Sequence, residues 1–79
     1  MGLNHIQEFP VLIAPLGAKQ FEIMISLSNT TNNLKDKIQD KTGLAPNDFE
    51  LVFREKKMDF HITMKAYYLE ANSKIHLAP

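Results

Sequence analysis

The side chains that could carry out catalysis or bind a metal are few and scattered. The 79-residue sequence has three histidines, at positions 5, 61 and 76, and no cysteine. A cysteine nucleophile, a disulfide and a cysteine-ligated zinc site are therefore excluded. Asp59 and His61 could touch a metal together, but this pair supplies fewer ligands than a zinc site needs. We expect no metal ion.

Motifs that would position a nucleophile or a phosphate group are also missing from the sequence. The three glycines are dispersed, so no glycine-rich loop is available to cradle phosphates. No segment has the G-x-S-x-G pattern of a nucleophile elbow. We therefore expect that the protein is not an enzyme and that it uses no cofactor.

The composition is that of one small globular domain. Hydrophobic residues make up 44 % and charged residues 23 % of the sequence, close to ordinary globular values. Nine basic residues balance nine acidic ones, so no bulk positive field favours nucleic acid or an anionic membrane. No apolar run approaches the roughly 20 residues of a membrane span, and no signal peptide is visible. We expect an intracellular protein, cytoplasmic or nuclear.

The elements that must position any functional side chain begin after a polar leader. Residues 1–8 are polar and mixed, so we expect a flexible leader there and a folded domain over residues 9–79. The apolar run 10–14 predicts a strand, and the turn residues proline and glycine follow it at 15–18. Residues 21–25 then alternate apolar and polar side chains, which predicts a second strand and an antiparallel hairpin.

One amphipathic helix is predicted over residues 31–42. Hydroxyl and amide side chains that can cap a helix precede it. Leu34 and Ile38 form a single apolar stripe, and charged residues, among them Lys35, cover the rest. Gly43 provides the C-terminal cap, and Pro46 prevents continuation.

The remaining chain predicts further strands. Phe49, Leu51 and Phe53 alternate with polar or outward residues, which indicates a third strand. A turn or short strand is expected near Met58, one helical turn over 66–70, and a last strand over 74–77. The order of elements is β-β-α-β-(short β)-turn-β, an α+β arrangement.

With this order, the chain resembles the ubiquitin family. The helix 34–43 is similar to that of ubiquitin almost residue for residue, and the two sequences align without a gap over 9–79. The family pattern continues through Leu44, Pro46, Leu51, Val52, Phe53, Lys56, Tyr67, Ser73, Ile75, His76 and Leu77. The resemblance implies the β-grasp fold, a mixed sheet of four to five strands packed on one helix.

The resemblance also implies a core and one anchoring hydrogen bond. Tyr67 should bond to the backbone near Asp59, because a buried phenol needs a polar partner. The side chains expected in the core are Val11, Ile13, Phe21, Ile23, Ile25, Leu34, Ile38, Leu51, Met58, Met64, Leu69, Ile75 and Leu77.

Ubiquitin-like domains mostly act by being bound, and the resemblance implies a partner-binding patch at Leu16, Val52, His76 and Ala78. Strand parity supports part of this assignment, because Val52 follows the core residue Leu51 and must point the other way. His76 lies between two core positions and should share that outer face. An exposed aliphatic cluster often marks a partner site.

The rim of this patch departs from the family pattern. Glu50 stands where ubiquitin has arginine, and Ala14 where it has lysine, so a more acidic rim is expected. Arg54 adds a basic group in place of alanine, and Lys56 matches a lysine of ubiquitin. The lysines shared with ubiquitin, including Lys35, are expected to be solvated surface charges.

Three functions follow from the resemblance. The first is a non-covalent interaction module of a larger protein, a monomer that binds ubiquitin-binding or proteasome-receptor modules. The second is a spliceosomal domain that binds RNA or splicing partners. Ala66, Tyr67 and Tyr68 are similar to the C-terminal ubiquitin-like domain of the large subunit of splicing factor three A, and Arg54 with neighbouring lysines could contact RNA. The third is a ubiquitin-type modifier. Because the printed sequence ends Leu77-Ala78-Pro79 without the di-glycine that conjugation requires, we expect either a domain of a longer protein or a modifier whose tail is not included.

Overall fold

Five strands and one α-helix form the fold of residues 7–79, the part of the chain that the computed structural model describes. A 3₁₀ turn lies between the helix and the third strand. The elements are β1 (Phe9–Pro15), β2 (Phe21–Ile25), α1 (Thr31–Thr42), the 3₁₀ turn (Pro46–Asp48), β3 (Glu50–Phe53), β4 (Lys56–Lys57) and β5 (Lys74–Ala78). Most of the predicted leader, residues 1–8, lies outside the described residues, and its boundary stays a prediction.

The sheet has the strand order β2-β1-β5-β3-β4. β1 and β5 are parallel neighbours at its centre, and the other neighbouring pairs are antiparallel. A parallel pair needs a long crossover connection, and here the crossover contains α1. One helix packed on a five-stranded mixed sheet confirms the predicted α+β, β-grasp fold.

Local hydrogen bonds determine both ends of α1. The Thr30 hydroxyl accepts from the Asn33 N–H at 3.1 Å, and the Asn33 side chain accepts in turn from the Thr30 N–H at 2.9 Å. These two reciprocal bonds form a capping box, which satisfies two N–H groups that have no hydrogen-bond partner within the helix. At the other end Gly43 adopts φ 83°, and its N–H donates to the Gln39 carbonyl at 2.7 Å. Glycine adopts a left-handed backbone conformation without steric cost, and the helix ends where the sequence predicted.

The core lies between α1 and one face of the sheet. All the predicted core side chains except Phe21 are buried, and Phe21 is half-buried against the cluster. The core also contains Phe49 and Phe53. Both alternate in phase with Leu51 along β3, so the same face of the strand carries three large apolar side chains.

Lys35 corrects the expectation that the shared lysines are solvated surface charges. Its side chain is buried beneath the loop after α1, and its ammonium group donates to the carbonyls of Pro46 at 3.2 Å and Phe49 at 2.7 Å. A buried ammonium requires such partners. The polar side of α1 therefore includes one buried cation, Lys35.

The segment between β4 and β5 differs from the sequence expectation in one respect and agrees in another. The predicted helical turn over 66–70 is a series of tight turns, which ends at Tyr68 because its backbone is left-handed, with φ 59°. The predicted anchor is confirmed. The Tyr67 hydroxyl accepts a hydrogen bond from the Asp59 N–H at 2.6 Å.

Candidate functional site

A row of four neighbouring residues crosses the sheet on the face turned away from α1. The register pairs His76 with Ala14 on one side and with Val52 on the other, and Val52 with Lys57 on β4. Paired residues on adjacent strands point to the same face. The flanking residue Leu51 is buried, so this row faces outward. His76 is exposed and Val52 is half-buried.

Leu16 and Ala78 lie at the end of the sheet nearest the β1–β2 turn. Leu16 is 84 % exposed. The turn continues through Gly17, whose φ of 75° is left-handed. Leu16, His76 and Ala78 line one shallow cleft of about 400 Å³. The structure thus brings three of the four predicted patch residues around one cleft, and Val52 joins them through its cross-strand neighbour His76. We call Leu16, Val52, His76 and Ala78 the outer patch.

Glu50 was expected to make the rim of the outer patch more acidic. Its carboxylate lies 3.6 Å from the ammonium nitrogen of Lys35 and 3.6 Å from that of Lys57. Two cations therefore share one carboxylate, and much of its charge is offset. Glu50 pairs with Ala78 in the register, so this compensated group directly borders the outer patch.

Arg54 and Lys56, which were expected at the rim of the outer patch, lie at the β3–β4 turn and beside it. Arg54 has a left-handed backbone, with φ 54°, and its guanidinium lies 5.0 Å from the centre of the Phe53 ring. A cation in this position is attracted to the ring face. Lys56 is exposed and pairs with Phe53 in the register. Because paired residues share a face, Lys56 lies on the face of the buried Phe53, and Lys57 is the basic residue that shares the face of Val52.

Sequence reasoning missed the extension of the apolar surface beyond Leu16. Leu16 also lines a second cleft of about 290 Å³, together with Leu44 and Pro79. Leu44 is exposed in the loop after α1. A single leucine in a loop carries no periodicity, so only the fold could show that it neighbours the β1–β2 turn. Phe60 is a further exposed aromatic side chain, at 64 %, and its ring meets that of His61 edge to face.

The described residues contain neither a cation-binding cluster nor a membrane-spanning helix. Within residues 7–79, histidine, aspartate and glutamate side chains nowhere gather in a group of three or more that could hold a metal ion. No helical segment in the same range combines the length and the apolar character needed to span a bilayer.

The architecture described above agrees with the comparisons to known proteins. The ubiquitin family model matches residues 11–78. The chain belongs to the ubiquitin family. It is 33 % identical to the NEDD8-like protein RUB3 of Arabidopsis thaliana over 67 residues. This match covers 85 % of this chain and 86 % of the relative.

Two further relatives show the same extent of similarity. Ubiquitin-like protein 1 of Schizosaccharomyces pombe is 25 % identical over 67 residues, covering 85 % of this chain and 86 % of the relative. Ubiquitin-like protein NEDD8 of Dictyostelium discoideum is 27 % identical over 67 residues, covering 85 % and 87 %. This ubiquitin-family domain thus matches its relatives over nearly their whole length.

Proposed function

We propose that this ubiquitin-family domain is a non-covalent protein-interaction module whose outer patch binds partner proteins. The observation that supports this proposal is the cross-strand pair of Val52 and His76, with Leu16 and Ala78 around the adjoining cleft. An aliphatic cluster on the open face of a small domain is typical of a partner site. The ubiquitin-family match covers all four residues.

The shape and charge of the patch favour a short amphipathic helix as the bound element. Its apolar side chains would cover Val52 and Leu16, as in other helix-in-groove complexes. Lys57, which pairs with Val52 on the same face of the sheet, would favour an acidic residue next to the apolar stripe of that helix. Candidate partners are ubiquitin-binding helices and proteasome receptors. Because the patch is small, we expect dissociation constants of about 1 μM or weaker.

The test is amide-shift mapping of the isotope-labelled domain with a panel of ubiquitin-binding helices and proteasome-receptor fragments. We expect saturable shifts centred on Leu16, Val52 and His76. Shifts centred instead on the exposed helix residues Gln39 and Lys41, with the outer patch silent, would show that the proposed face is wrong. A panel without any saturable shift would contradict the proposed class of partner.

A second candidate function, a ubiquitin-type modifier, is supported by the size of the relatives. A match of 67 residues covers 86 % of the Arabidopsis relative, so that protein is about as long as this single domain. A modifier of this type requires a terminal di-glycine that an activating enzyme can adenylate. Incubating the full-length gene product with ATP and a ubiquitin-type activating enzyme tests this candidate. A stable thioester on the enzyme supports it, and its absence rejects it.

A further inference from the structure

A second exposed apolar surface surrounds Tyr68, in the turns that precede β5. Tyr68 is 79 % exposed, and Leu27, in the connection from β2 to α1, is 45 % exposed. Together with Arg54, Lys65, Leu69 and Glu70 they line a cleft of about 500 Å³. The backbone joins the two apolar segments, because the Lys65 N–H donates to the Leu27 carbonyl at 3.0 Å.

The backbone of Tyr68 makes its exposure unusual. Its φ of 59° lies in the left-handed region, which a bulky aromatic residue seldom adopts. Such a conformation is strained for a bulky residue, and a side chain this exposed recovers little of that strain through burial. The Tyr68 N–H donates to the Lys65 carbonyl at 3.0 Å, which holds the turn in place. The turn that carries the Tyr68 ring is therefore held by a backbone hydrogen bond, which limits the ordering of the backbone that binding would require.

Two cations stand beside this ring without a carboxylate partner in the described part of the chain. The ion pairs found within residues 7–79 involve Lys35, Lys37 and Lys57, and neither Arg54 nor Lys65 takes part in them. Arg54 is instead held over the Phe53 ring. Glu70 is the acidic residue of the lining. The lining thus combines apolar side chains with two cations and one carboxylate, which leaves a net positive charge.

We propose that this cleft binds an acidic peptide segment of a partner protein, independently of the outer patch. An aliphatic side chain of the segment would sit between Leu27 and Tyr68, and carboxylates on one side of it would reach Arg54 and Lys65. Aromatic residues and arginine are the side chains that most often dominate binding energy. Complementary charge would favour an acidic segment, because the two cations of the lining outnumber its single carboxylate.

The experiment uses a blocked peptide in which two leucines precede four glutamates, and a control peptide with lysines in place of the glutamates. Each is titrated into the isotope-labelled domain at low ionic strength. We expect saturable amide shifts at Leu27, Lys65 and Tyr68 with the glutamate peptide only. Added salt should weaken the binding, since exposed charges are screened. Equal shifts with the lysine peptide, or none with either peptide, would overturn the proposal.

Variants of the domain test whether the cleft around Tyr68 is the surface that binds the glutamate peptide. Tyr68→Asn removes the ring but suits the left-handed backbone, so the domain should stay folded. We expect this change to weaken the affinity for the glutamate peptide by about tenfold or more, because a central aromatic contact is lost. The double change of Arg54 and Lys65 to glutamine should act similarly, and Leu16→Ser should have no effect. Unchanged affinity in Tyr68→Asn would overturn the proposal. So would sedimentation showing that Tyr68 instead joins two copies of this chain.

Discussion

The Lys35 ammonium group donates a 2.7 Å hydrogen bond to the carbonyl of Phe49. It also donates to the Pro46 carbonyl at 3.2 Å and lies 5.2 Å from the centre of the Phe49 ring. One helix side chain thus joins α1 to the first residue of the 3₁₀ turn and to Phe49, the residue that leads into β3. Since Glu50 follows at once and carries the rim carboxylate, Lys35 also connects the core to the edge of the outer patch.

Replacing Lys35 by methionine should destabilise the domain. The change keeps the length of the side chain but leaves the Pro46 and Phe49 carbonyls without a donor, which costs about 1–3 kcal/mol for a buried group. Urea denaturation measures this loss. The matched control is Lys41→Met, because Lys41 is exposed in the same helix and should change stability by less than about 0.5 kcal/mol. Equal effects of the two changes would mean that burial of Lys35 contributes nothing.

The sequence predicted the elements whose pattern is local. Thr30 and Gly43 are at the ends of α1 because capping depends on a few neighbouring residues. The outward direction of Val52 and His76 followed from strand parity, which needs only the identity of the adjacent core residue. The fold class followed from the order of these elements together with the family resemblance.

The sequence could not predict features that depend on contacts between distant segments. Nothing in the helix distinguishes Lys35 from the exposed Lys41. Only the loop folding back over α1 makes Lys35 an interior group. The prediction of a helical turn over 66–70 was wrong for a different reason, because the left-handed backbone of Tyr68 interrupts it. Leu44 becomes a neighbour of Leu16 only when the sheet and the loop after α1 meet.

Ile38→Ala should remove a large part of the stability of the domain. Ile38 is fully buried where α1 packs on the sheet, and loss of a core isoleucine costs about 2–5 kcal/mol. A small single core provides only about 3–5 kcal/mol in total, so much of the variant should be unfolded at room temperature. Thermal melts followed by circular dichroism measure this. Gln39→Ala, an exposed neighbour, is the control. Similar melting temperatures for the two variants would contradict the packing of α1.

The adjacent tyrosines should respond to substitution in opposite ways. Tyr68→Asn should raise stability by about 1 kcal/mol, because asparagine tolerates the left-handed backbone better than an aromatic residue. Tyr67→Phe should lower it by about 0.5–1.5 kcal/mol, because the hydroxyl that accepts from the Asp59 N–H is lost. Chemical denaturation of both variants, with the parent domain alongside, measures the two shifts. A destabilised Tyr68→Asn would show that the phenol ring of Tyr68 contributes packing that outweighs its backbone cost.

RNA should bind weakly to this domain at physiological salt. Nine basic and nine acidic residues cancel, and the affinity of a protein for RNA depends strongly on how many phosphates it neutralises. Titration of the labelled domain with RNA stem-loops, at two salt concentrations, tests this. Submicromolar binding with a steep salt dependence, lost when Arg54 and Lys56 are changed to glutamine, would instead support the splicing function.

Val52→Asp should abolish binding of a ubiquitin-interacting helix while the domain stays folded. Val52 lies in the middle of the outer row, between His76 and Lys57, and a small apolar interface depends on its central aliphatic residue. A carboxylate there would have to lose its water against an apolar helix, which is costly. The half-exposed position of Val52 lets the same carboxylate remain hydrated in the free domain. Calorimetric titration of the helix measures the affinity, and the amide spectrum reports the fold.

The matched control is Met24→Asp, because Met24 is an exposed apolar residue on the edge strand β2. Its affinity should stay within about twofold of the parent domain, since substitutions outside the contact leave binding nearly unchanged. If Met24→Asp weakens the helix as much as Val52→Asp does, the partner covers β2 and the outer patch is not the binding site.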